Sequence, residues 1–345
     1  ENLVCQHSSH YGLGLQNGGH VGVTVQDCLF YDCWRDGIDV KNNENTSGDS
    51  IGDQLKFHNL TFRNCCRGVD GSNPLAILDI MSPRVAISNI HIDDIPTDAT
   101  ATINAGIRVK LGLDGDSIGR GVGGQYCTIS NVHITQDAGS VTVSNGIAVW
   151  APYVSISNAK IVGAFTEGIQ LAQSYCNVVN STVSGAVTGI NVRALVGATT
   201  DAYPFTGADD CQIIGNSLIS CTTGLSNTRG RTLIGYNNFS SCTTGLAASA
   251  STSAGMRDFL NVFNGCTTDR NIDQSRSHQI VKGEYPVTSA ASGATRTFLD
   301  DKGVYSNSGA TALATFNLPS AVAGMEFSFV VVDTDGIRVQ AAAGD

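Results

Sequence analysis

The chain repeats two short apolar patterns along most of its length, and this repetition limits the possible folds more than any other feature. One pattern is an alternating run around an asparagine, as in LKFHNLTF (55–62), VAISNIHI (85–92), CTISNVHI (127–134), VSISNAKI (154–161) and CNVVNSTV (176–183). The other is a glycine strand, as in DGIDVK (36–41), AGIRVK (105–110), NGIAVW (145–150) and EGIQLA (167–172). Where no insertion intervenes, the period is 21 or 22 residues, from Gly146 to Gly168 and from Gly168 to Gly189.

A repeat of this length holds three short strands joined by tight turns. Such a unit can bury its apolar face only by stacking on its neighbours. The repetition therefore predicts an all-β chain, a right-handed parallel β-helix of about 9–10 three-stranded coils. A propeller blade needs about 40 residues and a leucine-rich repeat needs a leucine scaffold, so the period excludes both.

The repetition stops near residue 272, which divides the chain into two predicted parts. Residues 1–272 are expected to form the β-helix. Residues 273–345 read as a connector and a small C-terminal β module with alternating strands such as EFSFVVV (326–332). The first residues look like the interior of a domain and the last like an interrupted module, so we expect trimmed ends.

Composition excludes several classes of partner. The net charge of −10 argues against a nucleic-acid backbone as a ligand. No apolar run approaches the about 18 residues of a membrane span, so membrane insertion is not expected. The 11 cysteines include no C-x-x-C pair, which predicts buried free thiols from a reducing compartment rather than a zinc site. We predict no metal and no cofactor.

The asparagines of the first pattern recur at the corner between two strands. Asparagine tolerates left-handed backbone angles, and stacked side-chain amides can hydrogen-bond to one another. We therefore expect a ladder made by Asn59, Asn89, Asn131, Asn158 and Asn180.

Aligned glycine strands place charged residues in outward columns. One column contains Asp39, Asp79, Arg108, Ala148 and Gln170, and a second contains Lys41, Met81, Lys110 and Trp150. Successive coils lie about 4.8 Å apart, so Asp39 and Asp79 match the carboxylate separation of a retaining glycosidase. We predict catalytic roles for Asp39, Asp79 and Arg108.

The same column permits other interpretations. Lys41, Lys110 or Arg108 could act as the base of a polysaccharide lyase, with the carboxylates orienting the sugar. A salt-bridge ladder on a solvent-exposed strand is the structural alternative. The register also depends on the third coil, because Asp70 takes the place of Asp79 if that coil starts earlier. Asp36 reads as a turn residue.

Candidate substrate-binding residues lie along the same face. They are Lys41, Lys110, Trp150, Tyr153 and Gln170. Trp150 and Tyr153 suit either sugar stacking or simple packing. Insertions at 42–54, 111–126 and 193–210 all follow glycine strands, and long loops on one face of a solenoid indicate its binding face.

These motifs resemble a known superfamily. GIDVKNN (37–43), ILDIMS (77–82) before VAISN, and GIRVK (106–110) resemble the strands of pectate-lyase-like β-helices, in particular bacteriophage tail spikes and tail-fibre depolymerases. The last 28 residues resemble a module at the ends of phage tail proteins. The chain departs from the pattern at Ile77, where glycine is usual, and at Met81, where a basic residue is usual.

The resemblance implies a depolymerase, a glycosidase or lyase, that binds and cleaves a bacterial surface polysaccharide. It also implies a homotrimer in the virion tail, assembled in the host cytoplasm and acting at the bacterial surface. A receptor-binding tail fibre without cleavage is one alternative. A cellular polysaccharide lyase or epimerase of the same fold is another.

Overall fold

The computed structural model describes most of the repeated region and several strands beyond it. The described residues are 3–15, 20–41, 54–68, 75–96, 103–111, 123–136, 143–194, 208–248, 256–272, 279–281, 295–297, 304–306, 314–317, 328–330 and 336–340. Every helix or strand assigned among them is a β-strand, which confirms the predicted all-β class. None of these residues belongs to a helix long and apolar enough to cross a membrane.

The strands follow one another at short intervals. In the first half of the chain they are β1 (Leu3–Gln6), β2 (Leu13–Leu15), β3 (Thr24–Tyr31), β4 (Ile38–Val40), β5 (Lys56–Arg63), β6 (Leu75–Ile80), β7 (Ala86–Asp93), β8 (Ile103–Lys110), β9 (Thr128–Thr135) and β10 (Val143–Trp150). In the next part they are β11 (Ser155–Ser157), β12 (Lys160–Val162), β13 (Glu167–Leu171), β14 (Asn177–Val179), β15 (Thr182–Ser184), β16 (Thr188–Val192), β17 (Gln212–Ile214), β18 (Ser217–Ile219), β19 (Thr223–Asn227), β20 (Leu233–Gly235), β21 (Asn238–Ser240), β22 (Thr244–Ala248), β23 (Arg257–Phe259), β24 (Val262–Asn264), β25 (Thr268–Ile272) and β26 (Gln279–Val281).

The glycine strands form one continuous wall. They make a ten-stranded sheet in the order β2, β4, β6, β8, β10, β13, β16, β19, β22, β25. Every pairing is parallel and joins one coil to the next. Ten stacked coils therefore form a parallel β-helix, as the period predicts.

The other two strands of each coil belong to a 16-stranded parallel sheet. In the early coils, β3, β5, β7 and β9 are long strands of 8 residues that run through the corner without a break. The first half of β9 pairs with β11 and its second half with β12. From that coil onward two short strands replace the long one.

The predicted asparagine stack lies at this corner. All five asparagines adopt φ values between 51° and 53°, and Asn158 Nδ2 donates to Asn131 Oδ1 at 3.3 Å. The side chains are exposed, however. Left-handed backbone geometry, rather than buried hydrogen bonding, explains the choice of asparagine at these positions.

Replacing Asn131 by alanine is expected to lower the free energy of unfolding by about 1–2 kcal/mol, because a Cβ-bearing residue other than asparagine is disfavoured in left-handed geometry. Asn131→Gly should stay close to wild type, since glycine adopts this conformation readily. Urea denaturation measures both. Equal destabilisation by alanine and glycine would instead assign the loss to the side-chain amide.

The interior of the coils is filled in register. Eight of the ten glycine strands contribute an aliphatic side chain with 0% exposure at the same register position, and the stack consists of Ile38, Leu78, Ile107, Ile147, Ile169, Ile190, Leu225 and Leu246. The preceding glycine allows close packing. A Cβ at Gly146 would lie only 2.6 Å from the carbonyl oxygen of Gly168. In the third coil Ile77 occupies this place and is buried.

All eleven cysteines are free thiols, as predicted. Eight are buried and three are half-buried. Burial raises the pKa of the Cys127 thiol to about 12, so this thiol stays protonated at neutral pH. These thiols therefore act as small apolar side chains of the core.

After residue 272, β26 pairs with β23, so the 16-stranded sheet of the β-helix extends to residue 281. The division at 272 stays a prediction. The remaining strands are β27 (Thr295–Thr297), β28 (Val304–Ser306), β29 (Ala314–Asn317), β30 (Ser328–Val330) and β31 (Ile337–Gln340). They form a three-stranded and a two-stranded sheet, both parallel.

Candidate functional site

The ten-stranded sheet brings the predicted charged column together. Asp39 pairs with Asp79, and Asp79 pairs with Arg108. Arg108 in turn pairs with Ala148, and Ala148 with Gln170. The predicted register is confirmed, and the alternative with Asp70 in place of Asp79 is wrong.

The exposure expected for this column is wrong. The exposed fraction is 0% for Asp39, 2% for Asp79, 5% for Arg108 and 3% for Lys110, so these side chains do not line an open groove. Opposite charges on adjacent coils pair with one another, and paired charges can be withdrawn from water where single ones cannot. Most residues of the insertions at 42–54, 111–126 and 193–210 lie outside the described residues.

Asp79 is held by two cations. Arg108 donates from Nε to Oδ1 at 2.9 Å and from Nη2 to Oδ2 at 2.6 Å, a bidentate pair. Lys110 Nζ lies 3.2 Å from Oδ2 of the same carboxylate. Burial alone would raise the pKa of Asp79, but the charges of Arg108 and Lys110 outweigh it and hold this pKa well below its usual range.

Asp39 belongs to the same group of charges. Its Oδ2 lies 3.5 Å from Nζ of Lys41. The Lys41 side chain is 27% exposed, so the group reaches solvent on the Lys41 side. We refer to Asp36, Asp39, Lys41, Asp79, Arg108 and Lys110 together as the charged cluster.

Asp36 lies outside the strands, two residues before β4 begins, and it is also a member of the charged cluster. It is 5% exposed, and its Oδ1 accepts a hydrogen bond from the backbone N–H of Ala76 at 2.8 Å. Burial, followed by the charges of Asp79 and Asp39, raises the pKa of Asp36 to about 7. Asp36 lies three residues before Asp39, just as Glu167 lies three residues before Gln170. This shared spacing is a signal in the sequence that could have identified Asp36 as a member of the polar face.

The cluster thus contains carboxyls with opposite tendencies. Asp36 exchanges its proton near neutral pH, whereas Asp79 remains ionised. Carboxyl groups whose environments separate their pKa values in this way are typical of acid–base pairs in glycosidases. Arg108 keeps its proton at all relevant pH values and donates to Asp79, so it is unsuited to act as a base.

A polar network continues the face over the following coils. Gln170 donates from Nε2 to Oε2 of Glu167 at 2.6 Å, and Asn191 donates from Nδ2 to Oε1 at 2.8 Å. Trp150 Nε1 donates to Oε1 of Gln170, and Arg193 Nε lies 3.5 Å from Oε1 of Glu167. Gln170 is only 1% exposed, so its amide serves this network.

Trp150 connects this network to the charged cluster. The guanidinium carbon of Arg108 lies 5.6 Å from the centroid of the Trp150 ring, within cation–π range. The ring also packs against Ala76, Ala105 and Ala148 on the outer face of the sheet. Trp150 is half-buried and borders the cluster.

Tyr153 lies elsewhere, in a stack of exposed tyrosines. Its ring lies 4.9 Å from the ring of Tyr126 and 4.9 Å from that of Tyr175, with interplanar angles of 12° and 4°. Both faces of Tyr153 are therefore covered by other rings. This geometry favours the packing interpretation of Tyr153, because the residue can offer a ligand only its ring edge and hydroxyl.

The fold has known counterparts, although no protein-family profile and no curated protein matches the chain. A mutant tailspike protein of E. coli bacteriophage HK620 in complex with a pentasaccharide shares 10% identity at a TM-score of 0.50. This match covers 99% of this chain and 74% of that one. A second mutant of the same tailspike, also with a pentasaccharide, shares 11% identity at a TM-score of 0.50 and covers 98% and 72% of the two chains.

The chain spans 62% of the length of a further HK620 tailspike structure and 58% of another. At identities of 10–11% the likeness concerns architecture. It agrees with the strand pairing described above, in which parallel strands stack coil on coil through the ten-stranded sheet. The chain therefore has the parallel β-helix fold that is also found in a phage tailspike.

Proposed function

We propose that this chain is a tailspike-type protein that binds a bacterial surface polysaccharide and cleaves it by hydrolysis. The observation that carries the proposal is the charged cluster, in which a protonatable carboxyl, Asp36, lies beside the ionised Asp79. The fold shared with an oligosaccharide-bound tailspike supports the substrate class. By the same analogy, the protein acts as a homotrimer in the virion tail.

In this mechanism Asp36 protonates the oxygen of the leaving sugar. Asp39, three residues further along the same coil, acts either as the base that activates the attacking water or as the nucleophile of a glycosyl intermediate that water then hydrolyses. Its neighbour Lys41 is 27% exposed and borders solvent. Asp79 and Arg108 keep the local charge balanced while the proton moves. Lyase chemistry is less well supported, because Arg108 and Lys110 are both engaged by Asp79.

Asp36→Asn is expected to lower the rate of depolymerisation about 100-fold or more, because an amide cannot donate the proton that a general acid supplies. The substrates are capsule and O-antigen preparations, and mass spectrometry identifies the products. Fragments at the repeat-unit mass plus water indicate hydrolysis, whereas fragments at that mass minus water indicate a lyase. Asp93→Asn, at an exposed ion pair with Arg63, is the matched control and should keep wild-type activity.

The raised pKa of Asp36 also predicts a pH dependence of stability. Its folded-state pKa of about 7 lies above the ordinary value of 3.8, so the folded state binds this proton more tightly. The stabilisation is complete below pH 3.8 and is lost as the pH rises through about 7. Relative to Asp36→Asn, the wild type should become less stable across this window, as measured by urea denaturation. A constant difference would contradict a buried titrating carboxyl.

A second candidate function is receptor binding without cleavage. The near-complete burial of Asp36, Asp39 and Asp79 favours it, because hydrolysis requires these carboxyls to become accessible when the polysaccharide binds. Retention of polysaccharide on the immobilised protein without any new fragments would support this function against the hydrolase.

A further inference from the structure

A second polar site lies in the first three coils and is built from residues that do not belong to the charged cluster. It is a cleft of about 340 Å³ at the turn between β3 and β4, lined by His7, Ser8, Ser9, Asp32, Trp34 and Arg67. This volume is at the small end of the range for ligand sites, about 300–1,000 Å³. All six lining residues belong to described segments.

Trp34 forms the aromatic side of the cleft. It is 47% exposed, although tryptophan is usually largely buried. The indole is seated on the backbone of Gly68, since a Cβ there would lie 1.9 Å from Nε1 of Trp34. The N–H of Gly68 also donates to the Trp34 carbonyl at 2.7 Å. Packing against glycine therefore holds the ring at the surface.

Asp32 forms the polar side. Its Oδ1 accepts from Nη1 of Arg67 at 2.6 Å and from Nδ2 of Asn64 at 2.9 Å, and its Oδ2 lies 2.7 Å from Nδ1 of His7. The hydrogen bond from Arg67 is the main reason that the pKa of Asp32 is lowered. The cleft thus presents an ionised acceptor between two donors, and it does so beside an aromatic ring.

This combination matches the chemistry of a sugar ring. Its C–H face is apolar and suits an aromatic side chain with a polar partner nearby. Its hydroxyl groups both donate and accept, so they can bond to the Asp32 carboxylate and to the Arg67 guanidinium at once. A strong anion is less well matched, because Asp32 would repel it.

We propose that the cleft is an accessory sugar-binding subsite, in which one sugar residue packs on Trp34 and bonds to Asp32 and Arg67. The proposal rests on the proposed function, because it assumes that the ligand is a polysaccharide. It goes further by locating a binding site apart from the cleavage cluster. Such a site would hold the polymer on the protein between cleavage events.

The test begins with an array of bacterial capsular and O-antigen polysaccharides probed with the full chain. The polysaccharide that binds is then titrated calorimetrically against two variants, Trp34→Ala and Gly68→Ala. The first removes the aromatic surface, and the second displaces the indole without changing any charge. Each should weaken binding about tenfold or more, since a lost aromatic contact and its buried area together exceed about 1.4 kcal/mol.

A matched control is Tyr236→Asn. Tyr236 is 58% exposed and occupies a left-handed turn position that asparagine tolerates, seven coils from Trp34. This variant should bind like the wild type. Far-ultraviolet circular dichroism confirms that each variant is folded. Asp36→Asn should lose cleavage, whereas Trp34→Ala and Gly68→Ala should lose affinity, which separates the role of the cleft from that of the charged cluster.

The outcomes distinguish the two proposals. Wild-type affinity in both Trp34→Ala and Gly68→Ala would overturn the cleft and leave the proposed function standing. A wild-type chain that binds no polysaccharide on the array would overturn both.

Discussion

Replacing Asp79 by asparagine is expected to lower the free energy of unfolding by about 3–5 kcal/mol, the cost of breaking a buried ion pair from one side. Asp79 is 2% exposed and forms ion pairs with both Arg108 and Lys110. Asparagine has nearly the same shape but no charge, so it leaves two buried cations without their carboxylate. Urea denaturation of the full chain measures the loss.

The control is another aspartate paired with an arginine. In the Arg63–Asp93 pair the side chains are 51% and 25% exposed, so Asp93→Asn should cost about 0–1 kcal/mol. A triple variant, Asp79→Leu with Arg108→Met and Lys110→Met, removes the carboxylate together with both of its cations. It should be far less destabilised than Asp79→Asn, because no unpaired charge remains. Equal stability of Asp79→Asn and wild type would show that these charges are solvated.

Replacing Asn237 by alanine is expected to cost about 2–5 kcal/mol, because several buried polar groups would lose their partners at about 1–3 kcal/mol each. Asn237 is 0% exposed. Its Oδ1 accepts from the backbone N–H of Asn216 at 2.9 Å and from Nδ2 of Asn216 at 3.0 Å. Its Nδ2 donates to the carbonyl of Ile213 at 2.9 Å and to Oδ1 of Asn261 at 2.9 Å.

The neighbouring residue supplies the control. Asn238 is exposed at the start of β21, so Asn238→Ala should change the free energy of unfolding by less than about 0.5 kcal/mol. Chemical denaturation of the two single variants tests the difference directly. A similar small loss for both would mean that the ladder through Asn237 contributes no net stability.

This buried ladder differs from the one that the sequence predicted. The ladder at Asn131 and Asn158 exists, but it is exposed and reflects backbone geometry. The buried ladder consists of Asn216, Asn237 and Asn261, each directly after a left-handed residue. In the earlier coils the corresponding interior place is held by Leu60, Ile90, Val132 and Ala159, and by Ser181 in the coil next to Asn216. The exposed asparagines occupy the left-handed corner position itself, whereas the buried asparagines come one residue later, where the side chain points into the coil.

The repeat alone determined the architecture and the register. Each coil of a solenoid contacts only its neighbours, so a period of 21 or 22 residues specifies which residues lie above one another. Asp39, Asp79 and Arg108 are separated by insertions, so the shared glycine-strand motif rather than the period aligned them, and the strand pairing confirms that alignment. Local patterns were sufficient because stacking in a β-helix is effectively one-dimensional.

The tertiary structure decided which side chains are withdrawn from water and which partners they find. Asp39, Asp79 and Arg108 occupy outward positions, yet they are buried, and their burial is compensated by the ion pairs of Asp39 with Lys41 and of Asp79 with Arg108. Asp36 becomes a titrating carboxyl only through burial beside Asp79 and Asp39. The burial and the pKa of each carboxyl depend on side chains from several coils. No single stretch of the sequence contains all of these side chains.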